Sequence, residues 1–321
     1  MAQDQKPSSA DSKPSDPTFR SYSHAQGTNY AQHRRNYSPK LYESIISYHK
    51  SSSGQFDTLL DVGCGPGTAV STLAPNFKVA YGIDPSEAMI STARSISKTS
   101  VTGGNVRFEV STAEALGSDL EPPIVDGTVD VITAATCAHW FDLPRFWTQA
   151  AKTLKPGGTV ALWVSGSIKV DPSMPNHEAI QAVVDEIDVT VADYMLPGNI
   201  LGRDLYRDLA LPWTLPSPVS AFDPESLVRK EWGTGPDAET QFFANQPPIN
   251  FDMMELALGT ASPVTRWREA HPEAVGTEND VVRQVRRKTE KILFDAGVEP
   301  GKEMLKADMT GVLLLLRKKG D

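Results

Sequence analysis

Residues 59–68 read LLDVGCGPGT: an apolar run that ends in an acid and is followed at once by alternating glycines. Gly63, Gly65 and Gly67 leave the backbone without Cβ atoms, so a ligand can approach it closely and the chain can adopt positive φ. In open α/β sheets, ligands bind beyond the carboxyl ends of the strands, where the strand order reverses. The stretch therefore predicts the first strand of an α/β fold with a ligand site behind it.

Short apolar runs alternate with helical patterns on either side of this stretch. Strands that alternate with helices indicate parallel pairing in an open α/β sheet. Ser86 is a predicted N-cap, and the Lys-Pro-Gly-Gly stretch at 155–158 predicts a helix end. The sequence predicts strands at 58–62, 79–83, 106–110, 129–134 and 159–164, and helices at 68–74, 86–97 and 143–154.

The second half of the chain differs from the first in its composition. Residues 165 to about 225 contain many prolines, and the remainder is mainly helical in its pattern. A final apolar run, GVLLLLR, is short enough for a buried strand. The predicted elements are helices at 178–187, 203–209, 250–270 and 279–294, and strands at 226–232 and 311–317.

Composition excludes several classes of protein. The chain has 321 residues and a formal net charge of -9, which opposes nucleic-acid binding. Cys64 and Cys137 are the only cysteines, too few for a disulfide framework or a cysteine-rich metal site. No apolar run reaches the length of a membrane span. We expect a cytoplasmic protein with no metal, whose residues 1–17 form a polar, disordered tail.

Two acids follow later strands of the predicted sheet. Asp84 lies at the end of the second strand, 23 residues after Asp61, and Glu114 follows the third strand. An acid at the first of these places holds ribose hydroxyls in nucleoside-binding α/β folds, although Asp84 also suits the start of a helix. The dinucleotide pattern G-x-G-x-x-G is not met, because Thr68 stands where its third glycine would be. A pyrophosphate ligand is therefore disfavoured.

The segments LLDVGCGPGT, YGIDPSEAMI, VDVITAATCAHWFD and LKPGGTVALW follow one another in this order. Together they resemble class I S-adenosylmethionine-dependent methyltransferases over about residues 19–164. Within that superfamily the chain most resembles the trans-aconitate methyltransferase-like group of fungal small-molecule enzymes. The stretch SYSHAQGTNYAQHRRNYSPKLYESIISYH and the residues AHWFD at 138–142 carry this closer resemblance.

The resemblance implies an architecture. We expect an α/β, Rossmann-like, seven-stranded and mostly parallel sheet flanked by helices, with the last strand antiparallel and a helical insertion or lid over the active site. One domain would span residues 18–321. Within it, residues 18–50 would form N-terminal lid helices, 57–165 the cofactor-binding core, and 166–321 the acceptor-pocket insertion and the C-terminal strands.

The resemblance also assigns the cofactor, S-adenosyl-L-methionine, and the residues that bind it. The glycines would let the backbone approach the methionyl end, and Asp61 would receive its ammonium group. Asp84 would bind the ribose diol by charge-assisted hydrogen bonds. Thr112 departs from the family, many of whose members carry Asp there. The predicted cofactor-binding residues are Asp61, Gly63, Gly65, Gly67, Asp84, Met89, Ala113 and Glu114.

The acceptor site is predicted from residues after the fourth strand and in the two variable regions. His139 is the candidate catalytic residue, either as a general base or as a group that orients the acceptor. A polycarboxylate would require arginine side chains, whereas Trp163, Trp213, Trp232 and Trp267 could equally line an aromatic pocket. The predicted substrate residues are Tyr30, Arg35, Trp140, Arg203 and Arg266.

The sequence thus predicts methyl transfer to a small molecule, as O-methylation of a carboxylate (trans-aconitate-like) or of a secondary metabolite. A carboxylate needs no base, and the resemblance and the arginines favour it. Two alternatives stay open: an NAD(P)-binding oxidoreductase, and a hydroxyl or phenol O-methyltransferase that uses His139 as base. The expected partner is the small-molecule acceptor, with no nucleic acid and no membrane, and the protein would be a monomer or homodimer.

Overall fold

The computed structural model describes residues 36–96, 99–234, 241–244 and 247–320. Tyr30, Arg35 and the predicted tail 1–17 therefore lie outside the described residues. The described chain forms one seven-stranded sheet. Its strands are β1 (Thr58–Val62), β2 (Val79–Asp84), β3 (Arg107–Val110), β4 (Val129–Ala135), β5 (Leu154–Val170), β6 (Phe222–Trp232) and β7 (Ala307–Lys318).

The strands lie in the order β3-β2-β1-β4-β5-β7-β6. Strands β1 to β5 pair in parallel, whereas β7 runs antiparallel to both β5 and β6. The predicted mostly parallel sheet with an antiparallel last strand is therefore confirmed. The order reverses between β1 and β4, so their carboxyl ends border the crevice in which such sheets bind ligands.

Helices cover the sheet. α1 (Pro39–Lys50), α2 (Thr68–Leu73), α3 (Glu87–Ser95) and α4 (Leu143–Thr153) accompany the first five strands. The C-terminal half adds α5 (His177–Thr190), α6 (Pro197–Arg203), α7 (Phe251–Gly259), α8 (Ser262–Ala270) and α9 (Val281–Asp295). A short 3₁₀ helix, Ala138–Trp140, follows β4.

Both faces of the sheet are buried. In β1 the neighbours Leu59 and Leu60 are fully buried but belong to hydrophobic clusters on opposite faces. Leu313 and Leu314 of β7 divide between the same two clusters. Strands covered on both sides read as continuous apolar runs rather than alternating ones, which explains why LLDV and GVLLLL signalled strands.

Side-chain caps set where two of the core helices begin. The Ser86 hydroxyl accepts the backbone N–H of Met89 at 3.4 Å, as predicted for the N-cap of α3. The Asp142 carboxylate accepts the N–H of Arg145 at 3.4 Å and begins α4. Each cap satisfies a donor that the first helical turn leaves without an intrahelical acceptor.

Three predicted elements differ from the structure. The predicted helix at 250–270 is two helices, because α7 ends at Gly259 and α8 begins at Ser262. The fifth strand does not end at residue 164 but continues to Val170, because its last residues pair with the start of β7, as in Ile168 opposite Met309. The predicted helix at 203–209 does not form. α6 ends at Arg203, and Leu205 and Tyr206 both turn into the left-handed region with φ of 56°.

A third hydrophobic cluster lies outside the sheet's two faces. It combines α5, α7, α8 and α9 with Val170 and Leu305 near the extended ends of β5 and β7. Helix α5 packs against α9 and β5. This helical layer, formed from the predicted insertion, is one wall of the cavity described next.

Candidate active site

One cavity of about 500 Å³ runs from the glycine loop after β1 to the helical layer. It opens at the crevice between the carboxyl ends of β1 and β4, where the strand order predicts a ligand. Several residues predicted from the sequence line it: Gly63, Gly65, Asp84, Met89, Ala113, Glu114, His139, Trp140 and Arg203. The cavity thus brings predicted cofactor residues and predicted acceptor residues together.

Gly63 and Gly65 form the cavity's backbone wall. Both have positive φ, 62° and 53°. A Cβ at Gly65 would meet no protein atom within 4 Å, whereas one at Gly63 would lie 2.7 Å from Sγ of Cys137. The space beside Gly65 is therefore open for a ligand. Burial raises the thiol pKa of Cys64 and Cys137, so neither is an activated nucleophile.

At Gly67, packing against another part of the protein, rather than contact with a ligand, explains the absence of a side chain. It does not line the cavity, and a Cβ there would lie 2.8 Å from Cζ of Phe108. Its φ of 84° places it in the left-handed region at the start of α2. The assignment of Gly67 to the cofactor is thus not supported by its position, because its missing side chain makes room for the ring of Phe108.

Gly67→Ala should destabilise the protein by about 2–4 kcal/mol, from the left-handed backbone and the clash with Phe108 together. Gly127 is a matched control, since its φ is 69° and a Cβ there would meet nothing within 4 Å. Gly127→Ala should lower the free energy of unfolding by only about 1–2 kcal/mol, the cost of placing alanine in the left-handed region. Urea unfolding of both variants measures the difference. If both variants lost the same free energy of unfolding, the ring of Phe108 would be shown to move aside without a measurable cost.

Asp84 ties the glycine loop to the start of α3. Its Oδ2 accepts the N–H of Gly65 at 3.0 Å, and its Oδ1 accepts the N–H of Ser86 at 2.8 Å. The side chain is buried but lines the cavity. A carboxylate oxygen can accept more than one hydrogen bond, so Asp84 is positioned to receive hydroxyl donors from a ligand.

Asp61 lies behind the cavity wall rather than on it. Its carboxylate is fully buried, and Oδ1 accepts the Thr133 hydroxyl at 2.6 Å. Within the described residues, Oδ2 has no hydrogen-bond partner. Burial raises the pKa of Asp61 to about 7, with a smaller contribution from nearby Asp84, while Thr133 opposes the rise.

A raised carboxyl pKa makes stability fall as pH rises. The pKa of Asp61 is near 3.8 in the unfolded chain and about 7 in the folded protein. At pH values between these two, the folded protein holds a proton on this carboxyl that the unfolded chain has lost. That stability is complete below the unfolded pKa and is lost as pH rises through the folded pKa. Between pH 5 and pH 8, the free energy of unfolding of wild type should therefore fall by about 2–3 kcal/mol more than that of Asp61→Asn.

Chemical unfolding of both proteins at the two pH values tests this expectation. Other titrating groups are common to both, so the difference between the two pH profiles reports Asp61 alone. Identical profiles would contradict the raised pKa of this carboxyl.

Met89, Ala113 and Glu114 form another side of the cavity. Met89 and Ala113 are buried, and Thr112 lines the cavity beside them. Glu114 Oε1 accepts the N–H of Asp142 at 2.9 Å, which joins the loop after β3 to the start of α4. An apolar wall with a carboxylate at its edge can hold a planar group that carries a hydrogen-bond donor.

His139 lies on the short 3₁₀ helix after β4, at the junction between the glycine loop and the helical layer. Its side chain is buried but lines the cavity. Its Nδ1 lies 2.9 Å from the Tyr206 hydroxyl, and its ring centroid lies 4.8 Å from that of Trp140. Trp140 in turn packs closely on Gly198 of α6. A Cβ added to Gly198 would lie 2.4 Å from the ring carbon Cζ3 of Trp140.

The far part of the cavity, which we call the acceptor chamber, lies among α5, α6, α7 and α8. Its walls are mainly apolar. Among the residues that the structure describes, the charged ones that line it are Asp185 and Asp188 of α5, Arg203 of α6 and Asp308 of β7. Apolar side chains that line it include Val184, Ile187, Val191, Met195, Met254 and Leu258.

The two predicted substrate arginines that the structure describes have different positions. Arg203 lines the chamber, and its Nε donates to Asp204 at 2.9 Å. Arg266 does not line it, because its Nε donates to the Tyr194 carbonyl at 2.8 Å and it also bonds Asn199. Arg266 therefore holds α8 against the segment before α6, and its predicted substrate role is not supported by its position.

The alternative of a tryptophan-lined pocket is not supported either. Trp163 and Trp232 are fully buried in the core, and Trp267 packs in the helical layer. Among the described residues, Trp140 is the one tryptophan that lines the cavity.

Sequence reasoning missed the acids of the chamber and the partner of His139. Asp185 and Asp188 alternate with Val184 and Ile187 along α5, an acidic edge on an apolar face that a closer look at helical spacing could have found. Burial raises the pKa of Asp188, an effect that Arg203 opposes and Asp185 reinforces. Tyr206 gave no signal, because it lies 67 residues after His139.

The comparisons with known proteins agree with this geometry. The loop after β1, Asp84 at the end of β2, Glu114 after β3 and His139 after β4 all fall within one matched segment. Residues 60–162 match the methyltransferase domain family. This similarity supports the predicted methyltransferase, and the matched segment contains every predicted cofactor-binding residue.

The matches to relatives cover about half of the chain. The chain is 34% identical over 138 residues to a Saccharomyces cerevisiae protein named "Probable S-adenosylmethionine-dependent methyltransferase CRG1", a match that covers 43% of this chain and 45% of that protein. It is 33% identical over 180 residues to the 27-O-demethylrifamycin SV methyltransferase of Amycolatopsis mediterranei, covering 55% of this chain and 60% of the relative. The chain spans about half the length of the curated relatives it matches.

The fold extends beyond that segment. A solved structure named "The Structure of a Putative Type II Methyltransferase from Anaeromyxobacter dehalogenans" superposes with a TM-score of 0.56 at 23% identity. The superposition covers 89% of this chain and 97% of the other. The methyltransferase fold predicted for the chain is thereby confirmed. No helix in the described part of the chain is long and apolar enough to cross a membrane.

Proposed function

We propose that the protein is an S-adenosylmethionine-dependent methyltransferase that acts on a small molecule held in the acceptor chamber. The observation that carries the proposal is the single cavity that joins the glycine loop and Asp84 to the chamber, with His139 at the junction. The domain match and the relatives' names support the methyl donor. The name of the Amycolatopsis relative specifies a small-molecule acceptor.

The residues present fit S-adenosylmethionine. The open space beside Gly65 admits a ligand against bare backbone, and Asp84 offers a buried carboxylate for a diol. Met89 and Ala113 give an apolar wall for a base, with Glu114 at its edge. Oδ2 of Asp61, for which the described part of the chain provides no hydrogen-bond partner, lies behind this loop, and an ammonium group nearby would stabilise its charged form.

When bound, S-adenosylmethionine supplies an electrophilic methyl group. The protein's part is to hold the acceptor's nucleophilic atom in line with that group and to exclude water. The burial of His139 and Phe141 and the apolar chamber provide such an environment. A low dielectric favours the reaction when the acceptor is an anion, because opposite charges then cancel.

For the acceptor, we propose a carboxylic acid with a largely apolar body, methylated on a carboxylate oxygen. Arg203 and His139 both line the cavity, where they supply a cation and a ring nitrogen that can donate or accept a hydrogen bond. A carboxylate is already ionised at neutral pH, so no base is required. The trans-aconitate-like polycarboxylate has less support, because Asp185 and Asp188 also line the chamber and would repel further carboxylates.

A hydroxyl or phenol acceptor is the second candidate. The observation that favours it is the excess of acids over cations among the described residues of the chamber: Asp185, Asp188 and Asp308 against Arg203. A neutral acceptor avoids repulsion from these groups. It would require a base, a role that His139 could fill only with an unprotonated nitrogen directed at the hydroxyl.

Activity screening tests both candidates. Labelled S-adenosylmethionine would be incubated with apolar monocarboxylic acids, di- and tricarboxylic acids, and phenols. Transfer to the monocarboxylic acids supports the first proposal, and transfer to phenols alone supports the second. A thermal-shift series with NAD, NADP and S-adenosylmethionine checks the oxidoreductase alternative, since stabilisation by a dinucleotide alone would overturn the methyltransferase proposal.

A further inference from the structure

His139 and Tyr206 form a buried pair at the junction of the cavity. Nδ1 of His139 and the Tyr206 hydroxyl oxygen lie 2.9 Å apart, and both side chains are buried. Gly202 at the end of α6 lies beside the ring, since a Cβ there would make an ordinary contact of 3.8 Å with Cε1 of His139. The imidazole is therefore held between Trp140, α6 and the tyrosine.

The backbone that carries Tyr206 is strained. Leu205 and Tyr206 are consecutive non-glycine residues in the left-handed region, both with φ of 56°. Such conformations cost free energy and persist only where their surroundings hold them. Here the N–H of Tyr206 donates to the Leu201 carbonyl at 2.9 Å, and Nη2 of Arg229 donates to the Leu205 carbonyl at 2.8 Å. The turn delivers the tyrosine hydroxyl to His139.

The chemistry of the two partners indicates which of them supplies the proton. Nδ1 of His139 and the Tyr206 hydroxyl oxygen are within hydrogen-bond distance, at 2.9 Å. Burial raises the pKa of Tyr206 well above its ordinary value, so the phenol keeps its proton. A phenol is a better donor than acceptor, whereas the unprotonated nitrogen of a neutral imidazole is a good acceptor. The phenol O–H is therefore the expected donor to His139.

We propose that Tyr206 is a positioning residue that donates its hydroxyl proton to Nδ1 of His139 and thereby fixes the neutral imidazole as the Nε2–H tautomer. The second nitrogen of a neutral imidazole carries the proton when the first accepts a hydrogen bond. His139 then presents an N–H group, and a neutral imidazole in this state is no base at Nε2.

This inference rests on the proposed function in one respect, namely that the acceptor lies beside His139. An N–H donor binds an oxygen lone pair, so it orients a carboxylate and leaves the other oxygen lone pairs for methyl transfer. It does not take a proton from a hydroxyl. The pair therefore selects for acceptors that react without losing a proton.

Nuclear magnetic resonance of histidine-labelled protein tests the tautomer directly. Long-range nitrogen–proton correlations distinguish Nε2–H from Nδ1–H rings, and His139→Gln identifies the signal. At about pH 8, where an unperturbed imidazole is neutral, we expect wild type to show Nε2–H at His139. Tyr206→Phe should convert this signal to a mixture of tautomers. An Nδ1–H ring in wild type would overturn the proposal, whether or not the variant folds.

A second tyrosine–histidine pair provides a matched control. The Tyr194 hydroxyl lies 2.9 Å from Nε2 of His271, and neither residue lines the cavity. Tyr194→Phe should leave both the His139 signal and turnover unchanged. Tyr206→Phe should lower kcat about tenfold with unchanged affinity for S-adenosylhomocysteine.

The outcomes separate this proposal from the proposed function. An unchanged tautomer or unchanged kcat in folded Tyr206→Phe would overturn the positioning role. Failure of wild type to bind S-adenosylhomocysteine would overturn the proposed function, while the tautomer measured by resonance would still decide the role of Tyr206.

Discussion

Asp84→Ala should weaken binding of S-adenosylmethionine by about 10²–10⁴-fold. The carboxylate is buried, lines the cavity and is anchored by the N–H groups of Gly65 and Ser86. Two charge-assisted hydrogen bonds to the ribose diol would each contribute about 1.5–3 kcal/mol, and about 1.4 kcal/mol corresponds to tenfold in affinity. Calorimetric titration of wild type and variant measures the change.

Glu87→Ala is the matched control for this experiment. Glu87 lies in the first turn of the same helix, α3, and its side chain is exposed, so its removal deletes the same charge outside the cavity. Affinity should remain within about twofold of wild type, since exposed charges at a helix end contribute little. A folded Asp84→Ala protein with wild-type affinity would contradict the assignment of the ribose to Asp84.

His139→Ala should lower kcat/KM by about 10–10²-fold, because the acceptor loses one hydrogen bond to a charged oxygen. His139→Gln should retain most of the activity. The glutamine amide offers an N–H donor at nearly the reach of Nε2 but cannot act as a base. Steady-state kinetics of both variants, with the carboxylic acid found by screening, measures the two effects.

A thousandfold loss in both variants, with intact fold and unchanged cofactor affinity, would point instead to general-base catalysis on a hydroxyl. The contrast between alanine and glutamine is therefore more informative than either variant alone. It also bears on Tyr206, since a base at Nε2 would require the opposite tautomer.

The sheet and the start of the site could be predicted from the sequence because their signals are local. A strand buried on both faces reads as a largely apolar run, and LLDV and GVLLLL are such runs. The glycines after β1 and the acid after β2 occupy places set by the topology of an open parallel sheet. Gly63, Gly65 and Asp84 accordingly line the cavity.

The remainder depends on contacts that no local pattern records. Gly67 shares the spacing of Gly63 and Gly65. In the folded chain, however, a side chain at Gly67 would clash with the ring of Phe108 rather than face the cavity. Arg266 looks the same in sequence as Arg203, yet the Tyr194 carbonyl and Asn199 hold it away from the chamber.

Tertiary packing likewise overrode the helical pattern at 203–209. The chain turns left-handed at Leu205 and Tyr206, which brings the tyrosine hydroxyl to His139. A propensity for helix is weak compared with such packing, so the sequence favoured the wrong local structure here.

The central claim, that S-adenosylmethionine binds against the bare backbone at Gly65, is tested most directly by calorimetry with S-adenosylhomocysteine on Gly65→Val and Gly127→Val. Both glycines have positive φ and open space where a Cβ would lie, but only Gly65 lines the cavity. We expect wild type and Gly127→Val to bind alike and Gly65→Val to lose at least about a hundredfold in affinity, since a branched side chain would occupy the ligand's place. Equal affinity of folded Gly65→Val and wild type would contradict the account.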